Sequence, residues 1–137
     1  MLEARTARSG SFSFLRQVLL ADAVASGMTG LLMLLGSVPL EPWLAIPVWL
    51  LRAAGAVLVP YAAWVAWLAG REQPSRAAVW TVVVCNALWA IDCVLLLLTG
   101  WVQPTLLGTT FLLVQALVVL AFAELQYVGL RRTAATA

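Results

Sequence analysis

Apolar residues dominate four blocks of this chain, each interrupted by only a few polar positions and separated from the next by a short polar stretch. A hydrocarbon layer of ~30 Å takes ~20 apolar residues of helix to cross, so each block is long enough to span it. The pattern predicts helices over about 14–37, 43–70, 77–100 and 105–130. The clearest block, VVVCNALWAIDCVLLLLTG from Val82 to Gly100, carries Asp92 inside it. An aspartate in the centre of a span costs ~2.5–3.5 kcal/mol on insertion scales, so it has to face other helices, water or a counter-charge. The remaining blocks must supply that shelter.

The polar stretches give the connections. Residues 1–13, MLEARTARSGSFS, read as a tail, with Ser13 placed to cap the first helix. SVPLEPW turns the chain, Pro39 and Pro42 ending one helix and starting the next, while Pro47 and Pro60 mark kinks in the second. GREQPSR links the second and third helices, with Ser75 as a cap, and GWVQP links the third and fourth. Arginines ahead of the first block and Ala23-Val24-Ala25 raise the alternative of a cleaved signal peptide. Arg16, Gln17 and Asp22 interrupt its core and the apolar run continues to spanning length, so the block is read as a span.

Only 10% of residues are charged, against ~25% in soluble domains. The expected fold is a single all-α domain, an integral membrane four-helix transmembrane bundle. Histidine and lysine are both absent, which removes an imidazole base or metal ligand, a Schiff-base lysine and a Gly-Lys-Ser/Thr phosphate loop. No catalytic residue, metal or cofactor is assigned, and the expected protein is not an enzyme. A net charge of +2 is too small and dispersed for nucleic acid. Cys85 and Cys93, on one helix and ~12 Å apart along its axis, are too distant to bridge and read as packing residues. Asp22 and Asp92 stand at depths ~14 Å apart, too far to share a proton as an intramembrane aspartyl protease requires.

Arginine placement orients the bundle. Arg5, Arg8, Arg16, Arg71, Arg76, Arg131 and Arg132 fall on one side and none falls in the opposite connections, so both termini are expected in the cytoplasm of a bacterial inner membrane. Trp43 and Trp101 then mark the outer interface, and Trp67, Trp80 and Tyr127 the inner one. Laying Leu19–Val38 over Val83–Val102 aligns Asp22 with Asn86, Ala23 with Ala87 and Gly36 with Gly100. The halves therefore read as two tandem helical hairpins, a parallel repeat about an axis along the membrane normal.

The ionisable residues inside the spans are the candidate site. Arg52 and Asp92 lie at similar depth, ~12 Å from the outer surface, and are expected to form a buried ion pair, with Gln115 completing its hydrogen bonds. Asp22 and Glu124 lie nearer the inner surface, and Asn86 between the two levels. Asp22, Ser26 and Thr29 share a helix face, and Ala23 with Gly27 and Ser26 with Gly30 give small-xxx-small spacings that admit another backbone.

The leading expectation is an accessory or interaction subunit, meeting a membrane-protein partner or a second copy through these small-residue faces within the lipid bilayer. One alternative is a small proton- or cation-coupled carrier using Asp22 and Glu124, with Arg52 and Asp92 as a gate. The other is a bundle holding a lipid or apolar cofactor against Tyr61, Trp64 and Trp89.

Overall fold

A computed structural model describes residues 1–136, and over them the chain is all helical. Helix α1 spans Leu2–Leu35, α2 Ser37–Leu44, α3 Val48–Ala69, α4 Arg76–Leu98 and α5 Leu106–Ala135. Of these, α1, α3, α4 and α5 are long and apolar enough to cross a membrane, which makes the chain a membrane protein with four spans by length and composition.

The ends of these helices differ from expectation for identifiable reasons. α1 begins at Leu2, so residues 2–13 are its first turns rather than a tail ahead of it. Ala4, Arg5, Ala7 and Arg8 are strong helix formers, and the hydroxyls of Thr6, Ser9 and Ser11 donate to carbonyls three or four residues earlier. Ser13 is therefore interior and caps nothing. With 34 residues, α1 is about 51 Å long and extends well beyond a bilayer's hydrocarbon. Ser75 caps α4 as expected, accepting from the Ala78 N–H.

SVPLEPW, expected as a turn, closes into the short α2. Pro39 falls in its first turn, where a missing N–H costs nothing. α2 stops where Ala45 adopts φ 52°, a left-handed conformation unusual for a residue with a side chain. Thr105 receives its freed carbonyls: the backbone N–H donates to Leu44 O at 3.1 Å and the hydroxyl to Trp43 O at 2.6 Å. Gly108 lies directly against the Leu44 carbonyl, where any Cβ would collide. Pro47 precedes the first residue of α3, so it starts that helix instead of kinking it, and Pro60 lies inside.

Each long helix buries residues three or four apart: Leu15, Leu19, Asp22, Ser26, Gly30 and Met33 on α1, and Val79, Val82, Asn86, Ala90 and Cys93 on α4. This is the narrow seam of a helix bundle, and the polar members lie on it. α1 packs on α3 and α4 on α5; α1 against α5 joins the two pairs, whereas α3 and α4 make no extended contact among the described residues. The α1–α3 approach is closest at Gly30 and Gly55, where a Cβ on Gly55 would stand 2.6 Å from Gly30 O and one on Gly30 would stand 2.8 Å from the Leu58 Cβ. The small residues of α1 are thus used inside the chain.

The arginines gather one end of the bundle. Arg16 Nε donates to Ala69 O at 2.9 Å, Arg76 Nη1 donates to Leu130 O at 3.3 Å, and the Arg132 guanidinium lies 4.7 Å from the Phe14 ring centre. These contacts bring the front of α1, the α3–α4 connection and the end of α5 together. Trp43 and Trp101 are exposed at the far end, where the α2–α3 and α4–α5 connections lie.

Candidate functional site: a buried carboxylate below two clefts

Two apolar cores are stacked along the bundle axis. The one at the arginine end contains Leu15, Leu19, Val65, Leu68, Val79, Val82 and Leu130; the one at the far end contains Met33, Leu44, Leu51, Leu58, Ala90, Leu112 and Ala116. Between them lies a layer of polar side chains drawn from all four spans.

Asp22, fully buried, is its centre. One carboxylate oxygen, Oδ2, accepts from Gln126 Nε2 at 2.7 Å, from Asn86 Nδ2 at 2.8 Å and from the Tyr61 hydroxyl at 3.5 Å. The other, Oδ1, accepts from the Ser26 hydroxyl at 3.0 Å. Asn86 Nδ2 also donates to Gln126 Oε1 at 3.1 Å, so the two amides hold each other while both hold the acid. All the donors are neutral. Among the described residues no arginine comes within 4.0 Å of any carboxylate. An acid in this setting draws its stabilisation from hydrogen bonds alone.

The expected Arg52–Asp92 pair is absent. Both residues are exposed, and Arg52 Nε donates instead to the Ser37 hydroxyl at 3.0 Å. Buried Leu51 and Cys93 take the seam positions next to them. One residue along a helix is a rotation of ~100°, which turns Arg52 toward α2 and Asp92 toward the opening between α3 and α4. Gln115 accordingly completes nothing for Arg52; its Oε1 accepts from Trp89 Nε1 at 3.2 Å. Glu124 is exposed on α5 and takes no part in the Asp22 layer, so the two acids of the carrier reading are not brought together. Trp64 packs beside Tyr61, ring centres 6.4 Å apart, against the arginine-end core.

Gln126 was not among the expected site residues. Its signal was available: steps of three and four through α5 from Leu112 and Ala116 to Ala123 reach Gln126 and then Leu130, all buried.

Beyond the polar layer, toward the far end, the helices separate. A cleft of about 450 Å³ lies chiefly between α1 and α5, reaching from Leu44 past Thr29 to Ser26 and Val118. A second, of about 420 Å³, lies among α3, α4 and α5, with Leu50, Ala54, Asp92, Leu96 and Phe111 on its walls. A smaller cavity of about 350 Å³ continues between α3 and α4 down to Tyr61 and Asn86. Trp89 borders all three, and Trp89 with Gln115 divides the two larger ones. Among the described residues one buried side-chain polar atom lacks a hydrogen-bond partner, Gln115 Nε2, beside these clefts.

No group of potential metal ligands occurs among the described residues. The chain matches no family model, no curated protein and no solved structure.

Proposed function

We propose that this chain is a non-enzymatic binding bundle of a bacterial inner membrane, taking an apolar ligand from the bilayer into the clefts between its helices. The observation that carries this reading is the pair of clefts of about 450 and 420 Å³, each within the ~300–1,000 Å³ typical of small-molecule sites. Their walls are apolar and they open sideways between spans, where lipid has direct access. With the arginine end cytoplasmic, as arginine bias favours, the clefts face the outer leaflet. Ser26 of the Asp22 layer then stands at the inner end of the first cleft, and Tyr61 and Asn86 at that of the smaller cavity between α3 and α4.

The tandem hairpins remain part of the proposal. A two-fold axis along the membrane normal would exchange α1 with α4 and α3 with α5, and Asp22 and Asn86, aligned by the repeat, stand in one layer. That axis would turn the α1–α5 contact into an α3–α4 contact. The structure departs from that symmetry: α1 packs along α5, whereas α3 and α4 make no extended contact among the described residues and a cavity lies between them.

The accessory-subunit reading is less well supported. The glycine-rich face of α1, through which a partner or second copy would dock, is covered by α3 at Gly27 and Gly30. The carrier reading retains Asp22 but loses Glu124 as its companion.

The test is tryptophan quenching in nanodiscs made with phospholipid brominated along its acyl chains. Bromine entering the clefts quenches Trp89, so the wild type should lose more emission than Trp89→Phe, and chains brominated near mid-length should act most strongly. Equal quenching of the two proteins would overturn the proposal.

A further inference from the structure

Gln115 defines the chemistry of what the clefts would hold; this inference rests on the binding-bundle reading. An indole N–H can only donate, so the atom of Gln115 facing Trp89 Nε1 at 3.2 Å must be its oxygen. The amide cannot be flipped without setting donor against donor. Its Nε2 is therefore fixed as a buried donor with no partner among the described residues and almost no open surface, so the side chains over it must give way to a ligand. The walls around it are chiefly Leu, Val, Ala and Phe, with Ser26, Thr29 and Thr110 on the first cleft and Asp92 and Cys93 on the second. A buried amide of this kind favours a ligand that brings an acceptor.

Charge and depth narrow the class. No arginine lines either of the two larger clefts, and the one charged residue bordering them, Asp92, would repel an anion. Gln115 lies nine residues into α5 from Leu106, about 14 Å along the axis and close to the middle of a hydrocarbon layer of ~30 Å. The ester carbonyls of a phospholipid are held at the interface by its charged headgroup. Bringing one to Gln115 would drag that headgroup into hydrocarbon. A neutral lipid without a headgroup meets no such barrier. The Trp89 ring, common to every cleft, offers a flat aromatic face for a flat carbonyl-bearing ring.

We propose that Gln115 and Trp89 form the recognition point for a neutral, headgroup-free lipid bearing a ring carbonyl, of the isoprenoid-quinone class: the carbonyl accepts from Gln115 Nε2 and the tail occupies the cleft. The step is binding alone, with no electron transfer.

The experiment compares decyl-benzoquinone with decylbenzene, which has the same tail and no carbonyl, added to the full chain in nanodiscs, with the thermal unfolding shift titrated for each. The quinone should stabilise the wild type at concentrations where decylbenzene does not. Gln115→Leu should bind it about threefold to tenfold more weakly, the value of one neutral hydrogen bond. The double variant Gln115→Leu/Trp89→Phe, which removes both hydrogen-bond partners together and leaves no orphan, should not distinguish the two probes. Equal binding of both probes to the wild type, or an undiminished quinone affinity in Gln115→Leu, would overturn the inference. Bromolipid quenching at Trp89 separates the two proposals: if it persists while the quinone shows no advantage, the clefts take plain acyl chains and the binding bundle stands alone. If it too is absent, both fall.

Discussion

Gln126 Nε2 donates to Asp22 Oδ2 at 2.7 Å, tying the first span to the last across 104 residues of sequence. With Asn86 donating to the same oxygen at 2.8 Å, this contact holds α1, α4 and α5 to one level, and the clefts open above it. Replacing Asp22 by Leu strands both amides in an apolar interior, at about 1–3 kcal/mol for each orphaned group. Asp22→Leu is therefore expected to lower stability by several kcal/mol in detergent unfolding. Gln126→Leu should cost less, because Asn86, Tyr61 and Ser26 still serve the acid. The Asp22/Gln126 double-mutant cycle should give a coupling of about 0.6–2 kcal/mol, within the range of polar pairs in membranes. Additive losses would mean the contact carries no energy.

The α1–α3 approach should be sensitive to a single methyl group at one glycine and tolerant at another. On Gly55 a Cβ would meet backbone, Gly30 O at 2.6 Å and Leu34 N at 2.8 Å, and backbone cannot swing aside. On Gly27 it would meet only the Ala62 Cβ at 3.4 Å. Gly55→Ala should destabilise by about 1–3 kcal/mol, as overpacking does, and Gly27→Ala should change stability far less. Equal effects in thermal unfolding would contradict the helix spacing described.

Arg52 and Asp92 should behave as strangers. The Arg52 guanidinium is bonded to Ser37 and both residues are exposed, so Arg52→Leu and Asp92→Leu should add to within about 0.5 kcal/mol in a double-mutant cycle. A double variant markedly more stable than that sum would restore the ion pair.

Flux through liposomes distinguishes binding from transport. With Glu124 exposed and apart from the Asp22 layer, reconstituted protein should show no pH-driven flux, and Asp22→Asn and Glu124→Gln should leave the trace unchanged. A flux abolished by Asp22→Asn would make the protein a carrier.

Topology can be read with a membrane-impermeant maleimide on single cysteines introduced at Ser9, Gln73 and Gln103 in a background lacking Cys85 and Cys93. Ser9 and Gln73 lie at the arginine end and Gln103 in the far connection, so in intact spheroplasts only Gln103→Cys should be labelled. Labelling of Ser9→Cys under those conditions would invert the orientation proposed.

The chain by itself determined the four spans, the gathering of arginines at one end and the Ser75 cap, because length, apolar content and the position of charge are properties of the string of residues. Asp22 and Asn86 were legible as polar groups within spans for the same reason, but so were Arg52, Asp92 and Glu124, which the structure leaves exposed. What only the tertiary structure decided was the rotation of each helix about its own axis, and with it which polar residues meet: Asp22 with Gln126 and not Glu124, Arg52 with Ser37 and not Asp92, Gln115 with Trp89. In water, a helix shows its inward face by the contrast between apolar and polar sides. In a bilayer both sides are apolar, since lipid tails resemble leucine as closely as another helix does. The rotation is chosen instead by backbone fit, such as Gly30 against Gly55, and by the need to give every buried donor and acceptor a partner. Both conditions exist only once the helices are side by side.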